Sequence, residues 1–146
     1  MHTARRHRVI HATPQELWDV VSDPHHLPRW WPRVSRVEAV EGDAFTEVLK
    51  TAKGKLVRAD FTLVEVDEVG RRLVWSQELE GSPWERLLAS AETEVRLMAK
   101  GGDTDVTIEL RQALTGFFPR FGGFLVRRAA SATLDEALDG LERIGV

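Results

Sequence analysis

Apolar residues recur along this chain with a period of two over most of its length and a helical period near its end. Residues 5–11 alternate as a strand, with Val9 and His11 on one face and Arg8 and Ile10 on the other. Thr13, Pro14 and Glu16 then mark a helix start: Thr can cap, Pro suits the first helical position, and an acid suits the positive end. Leu17, Val20 and Val21 fall on one face of that helix, which stops at Ser22-Asp23-Pro24. His25 to Trp31 reads as a second short helix or turn, broken by Pro28 and closed by Pro32.

Six strands follow. Residues 34–40 and 45–52 are weakly patterned and join at Glu41-Gly42-Asp43, and Lys53-Gly54-Lys55 makes the next turn. The alternation sharpens at 56–66, where Val57, Ala59, Phe61 and Leu63 share a face. At 72–80, Leu73, Trp75, Gln77 and Leu79 point one way. At 89–99, Ala91, Thr93, Val95 and Leu97 do the same, and Val106, Ile108 and Leu110 follow after a turn at Gly101-Gly102-Asp103. Sequential strands with short turns predict an antiparallel meander with one dry and one wet face. In the last segment Leu134, Leu138, Leu141 and Gly145 are spaced as a helical stripe. That helix begins between Gly116 and Phe121, and Arg127 projects onto its stripe.

Composition narrows the chemistry. The 146 residues carry a net charge of −3, and hold five Trp, six Phe, no Tyr and no Cys. The length argues for one domain, residues 1–146. Without Cys there are no disulfides, thiolate metal sites or Cys nucleophiles. The charge gives no basis for nucleic-acid binding; the six Arg of the first 36 residues alternate with apolar positions and read as solvated faces. No run approaches the ~18 apolar residues of a membrane span, and the first ten residues hold no signal-peptide core, so a cytoplasmic protein is expected. No phosphate loop, dinucleotide fingerprint or nucleophile elbow appears, and no cofactor is expected. His25 and His26 are adjacent, and His7 and His11 stand ~13 Å apart on a strand, so no metal site is expected.

The segment Thr13-Pro-Gln-Glu-Leu-Trp-Asp-Val-Val-Ser-Asp-Pro24, followed by Leu27-Pro-Arg-Trp-Trp-Pro-Arg-Val34, resembles the opening signature of the START-like helix-grip (SRPBCC) superfamily. It is most similar to the polyketide cyclase/dehydrase and lipid-transport branch. The order of elements fits the same resemblance along the whole chain. The resemblance implies an α+β helix-grip fold: a curved seven-stranded antiparallel sheet wrapped around a long C-terminal helix, with two short helices after the first strand. It also implies a cavity between sheet and helix, its mouth formed by the short helices and the loops near the start of the last helix.

On that picture Phe61, Trp75, Gln77, Thr93, Leu97 and Ile108 stand on the inward strand faces, with Gln77 able to fix a carbonyl or hydroxyl. Gln112 is a weaker candidate of the same kind. Trp30, Trp31 and Trp84, with Phe117, Phe118, Phe121 and Phe124, lie near the mouth. Arg127 would hold an anionic group there, or reach past the mouth to water. The expected function is binding of a hydrophobic or aromatic small molecule, lipid or polyketide-like. A polyketide aromatase/cyclase-type enzyme is the first alternative, in which Arg127, Gln77 or a His steers enolisation. A protein-interaction module of the same fold is the second. With no Tyr, no Cys and no His–acid pair evident, proton carriers look scarce, which favours binding over catalysis.

Overall fold

A computed structural model describes residues 1–116 and 122–145. The chain runs β1 (His2–Ile10), α1 (Pro14–Val21), a single 3-10 turn (Pro24–His26), α2 (Leu27–Trp30) and β2 (Val34–Glu41). It continues through β3 (Ala44–Lys50), β4 (Leu56–Asp67), β5 (Arg72–Glu78), β6 (Leu88–Lys100) and β7 (Asp103–Leu114) to α3 (Gly122–Ile144). The expected helix-grip architecture is present: a seven-stranded curved antiparallel sheet and a long C-terminal helix.

Helix α1 starts as its sequence dictates. The Thr13 side chain accepts a hydrogen bond from the Glu16 amide (3.2 Å) and Pro14 takes the first helical position. The sheet order is β1-β7-β6-β5-β4-β3-β2, so the first strand pairs with the last and the remainder is a meander. Because β1 and β2 occupy opposite edges, the segment holding α1 and α2 must cross from one edge to the other. Register shifts between Glu38 and Glu41, where Ala39 takes φ 55°, and between Leu63 and Glu65 are bulges that bend the sheet.

The strands are longer than their alternation suggests. β1 starts at His2 and β7 extends to Leu114, each pairing past its apolar positions. Helix α3 rests on β1, β7 and α2. Leu134, Leu138 and Leu141, the expected stripe, are sealed against Ile10, Val95, Val106 and Ile108. Each such side chain contributes roughly 1.5–3 kcal/mol by leaving water. Arg8 ties β1 to α3 through Asp139 (2.6 Å) and Glu142 (2.8 Å). Gly140 permits the closest approach of α2: a Cβ there would collide with the backbone carbonyl of Trp30. That contact sets where Trp30 and Trp31 stand. Among the described residues no helix is long and apolar enough to cross a membrane.

Candidate functional site

Because α3 leans on the β1–β7 side and on α2, the described residues cover the inner face of the middle strands only in part. A hollow of about 340 Å³ lies there, within the roughly 300–1,000 Å³ range of small-molecule sites. Strands β3 to β7 line it, together with Trp31 after α2, Trp84 between β5 and β6, and Thr133 of α3. Residue size along the strands explains the space. Ala59 stands opposite Glu47, and Ala91 opposite Gln112, where larger side chains would fill it. The rim is exposed and carries Arg33, Lys50, Thr51 and Ala52. A smaller recess of about 240 Å³ shares Trp84, Leu110, Gln112 and Thr133, and continues beneath the start of α3 to Val126 and Ala129.

The aromatic walls brace one another. Trp31 meets Trp75 edge to face at 5.6 Å, and Trp30 meets Trp31 at 5.4 Å. Phe61 stacks on Phe45 at 5.4 Å with planes 10° apart. Such pairs add about 0.5–1.5 kcal/mol each beyond area burial, and they hold the walls rigid.

One group in the hollow was not anticipated. Glu47 lies on β3 in phase with Phe45 and Leu49, only 2% exposed, and lines the hollow. Among the described residues it has no hydrogen bond and no ion pair. Burial without a partner disfavours the charged form and pushes its pKa up to about 8. The sequence signal was an acid in phase with two apolar residues. Val48, equally buried on the opposite face, obscured the phase.

The expected site residues divide into three groups. Trp31, Phe61, Trp75, Gln77, Trp84 and Thr93 line the hollow, as does Gln112. Trp30, Leu97 and Ile108 instead belong to the solid core, where they pack without facing the space. Phe124 and Arg127 lie in an outer groove between β1 and α3. Between Gly122 and Ala130, which are both buried, α3 carries no buried residue, and Arg127 in that stretch is exposed and donates to Nδ1 of His2 at 2.7 Å. The reading of Arg127 as a group at the mouth is therefore replaced by a surface contact. Phe117, Phe118 and Phe121 lie outside the described residues.

Histidine–carboxylate pairs, not evident in the sequence, do form. His7 meets Asp105, His11 meets Asp103 and His25 meets Asp23, at 3.3, 2.7 and 2.9 Å. All three His are exposed and none lines the hollow. Among the described residues no cluster of three or more His, Cys, Asp or Glu is placed to hold a metal ion.

Residues 1–144 match the family model described as polyketide cyclase / dehydrase and lipid transport. The chain belongs to this family. No curated protein matches it. Solved structures share the family's fold. A START superfamily protein of Mycobacterium smegmatis has 15% identity and a TM-score of 0.79, over 97% of this chain and 95% of that one. A protein of Thermus thermophilus has 27% identity and a TM-score of 0.74, over 98% and 96%. The di-domain ARO/CYC protein BexL has 21% identity and a TM-score of 0.81, over 98% of this chain and 46% of its own.

Proposed function

We propose that the hollow is a binding cavity for a hydrophobic or aromatic small molecule, lipid or polyketide-like, held between the sheet and α3. The observation that carries this reading is a space of about 340 Å³ that combines braced Trp and Phe walls with inward polar groups and a charged rim. Flat apolar walls reward flat apolar ligands, and Gln77, Thr93 and Gln112 fix orientation by hydrogen bonding. Native mass spectrometry of the protein purified from its own host should detect a retained small molecule that is lost on denaturation. A filling variant, Ala91→Phe, should lose it; retention at wild-type occupancy argues against the cavity.

Glu47 favours a second reading, an aromatase/cyclase-type enzyme. A carboxyl with a pKa near neutrality inside an apolar cavity has the protonation range that general acid–base chemistry needs. The fold-level likeness to BexL is consistent with it. Incubation with poly-β-ketone mimics tests it: cyclisation should exceed the buffer rate and drop in Glu47→Gln. A rate equal to buffer removes the enzyme reading and leaves the binding one.

A further inference from the structure

Glu47 is an expensive residue to place where it is. A carboxyl moved from water into an apolar space without a partner either stays protonated or costs several kcal/mol. The groups facing the hollow from each surrounding element offer no compensating charge at its depth. From β4 come Val57, Ala59 and Phe61; from β5, Trp75 and Gln77; from β6, Ala91 and Thr93; from β7, Leu110 and Gln112; from α3, Thr133. The other charged lining residues are Arg33, just before β2, and Lys50, at the end of β3; both sit on the exposed rim and neither pairs with Glu47. On β2, Glu47 is in register with Val37.

We propose that the Glu47 carboxyl is the hydrogen-bond donor that the hollow offers to a carbonyl or enol oxygen, making the site selective for a neutral ketone on a largely apolar body. This rests on the ligand-cavity reading above and specifies its ligand class. Three observations converge on it. The side chain is all but sealed from bulk solvent yet borders the hollow. Among the described residues it has no partner, so its proton is available to a guest. Ala59 directly across the strand pair leaves the approach to the carboxyl open. At neutral pH, burial keeps that proton in place. A carbonyl oxygen accepts from a carboxylic acid and is repelled by a carboxylate, so recognition of a ketone weakens once the proton is lost. A cationic ligand behaves in the opposite way.

Three probes with one naphthalene body separate these outcomes: acetylnaphthalene, ethylnaphthalene and naphthylethylamine. Binding is followed by quenching of the cavity Trp residues in the wild type, Glu47→Gln and Glu47→Leu. At about pH 6 the wild type should favour the ketone over the hydrocarbon by about tenfold, the size of one net hydrogen bond. By about pH 9.5 that preference should vanish, because the group is then ionised. Glu47→Gln, whose amide still donates, should keep the preference at both pH values, and Glu47→Leu should show none at either. A ketone preference that ignores pH in the wild type, or survives in Glu47→Leu, overturns the proposal while leaving the cavity standing. So does an amine that binds more tightly than the ketone at about pH 6, which would mean a carboxylate already faces the hollow. If none of the probes binds, the cavity reading falls and takes this one with it.

Discussion

Two glutamates on the same sheet are both nearly sealed from water, Glu47 at 2% exposure and Glu94 at 5%, and they live opposite lives. Glu94 lies on the outer face of β6. Arg72 and Arg111 donate to it at 3.1 and 3.0 Å, and Arg96 approaches to 3.1 Å. Desolvation raises its pKa, but the hydrogen bonds from Arg72 and Arg111 outweigh it and hold the carboxyl below its ordinary value. Glu47, on the inner face of β3, has desolvation alone and is pushed up to about 8. Burial therefore does not distinguish a structural acid from a functional one. The partners do. Glu94 is fully used by its own fold, whereas Glu47 is left available to something that enters the hollow.

The largest expected effect is on how stability depends on pH. Glu47 is raised in the folded state from an ordinary value of 4.5, so its stability is fully present below pH 4.5 and is lost as pH rises through about 8. That loss is on the order of 5 kcal/mol. Glu94 is lowered, so its contribution is present above its unfolded pKa and disappears as pH falls through the lower folded value. Urea unfolding across pH should show Glu47→Leu flattening the fall in stability between about pH 4.5 and 8 and leaving the acid limb intact. If the difference between Glu47→Leu and wild type does not change with pH, the Glu47 carboxyl is not buried without a partner.

Next in size is the loss of Glu94. Glu94→Gln removes the carboxylate that Arg72, Arg96 and Arg111 share, leaving Arg72 with Glu65 and Arg111 with Glu92 and Glu109. The cost should be about 2–3 kcal/mol at neutral pH, below the ~3–5 kcal/mol of a fully buried pair because the Arg side chains are partly exposed. A cost under about 0.5 kcal/mol, as for an ordinary surface change, breaks the contrast.

A smaller effect sharpens the comparison by making one glutamate resemble the other. Ala59→Lys places a cation directly opposite Glu47. The Glu47 pKa should fall below its present value and cavity probes should bind at least about tenfold more weakly, because the space and the free proton are both consumed. Unchanged probe binding in a folded Ala59→Lys protein would place the ligand elsewhere.

Much of this was legible in the sequence, and the exceptions have physical reasons. The alternations at 56–66 and 72–80 put Phe61, Trp75 and Gln77 on the inner face because strand side chains alternate strictly. The spacing of Leu134, Leu138 and Leu141 marked the buried stripe of α3. Arg127 fell on that stripe by projection, yet a stripe is buried only where another element covers it, and Arg127 lies instead in the outer groove between β1 and α3, bonded to His2. The cage around Glu94 depends on register between β5, β6 and β7, which pairs Glu94 with Val74 and Glu109 and places Arg72 and Arg111 diagonally to it. No local pattern encodes that arrangement. Glu47 stayed hidden because β3 carries apolar residues on both faces, so its phase was ambiguous until Ala59 and Phe61 were seen beside it.

The most direct test is the titration of Glu47 itself, followed through its side-chain carboxyl carbon by NMR in the folded, ligand-free protein, with Glu47→Gln used to assign the resonance. The structure leads to a midpoint of about 8. A midpoint near 4.5, the ordinary value, would mean that the carboxyl is solvated or paired and that the hollow holds no free proton for a ligand.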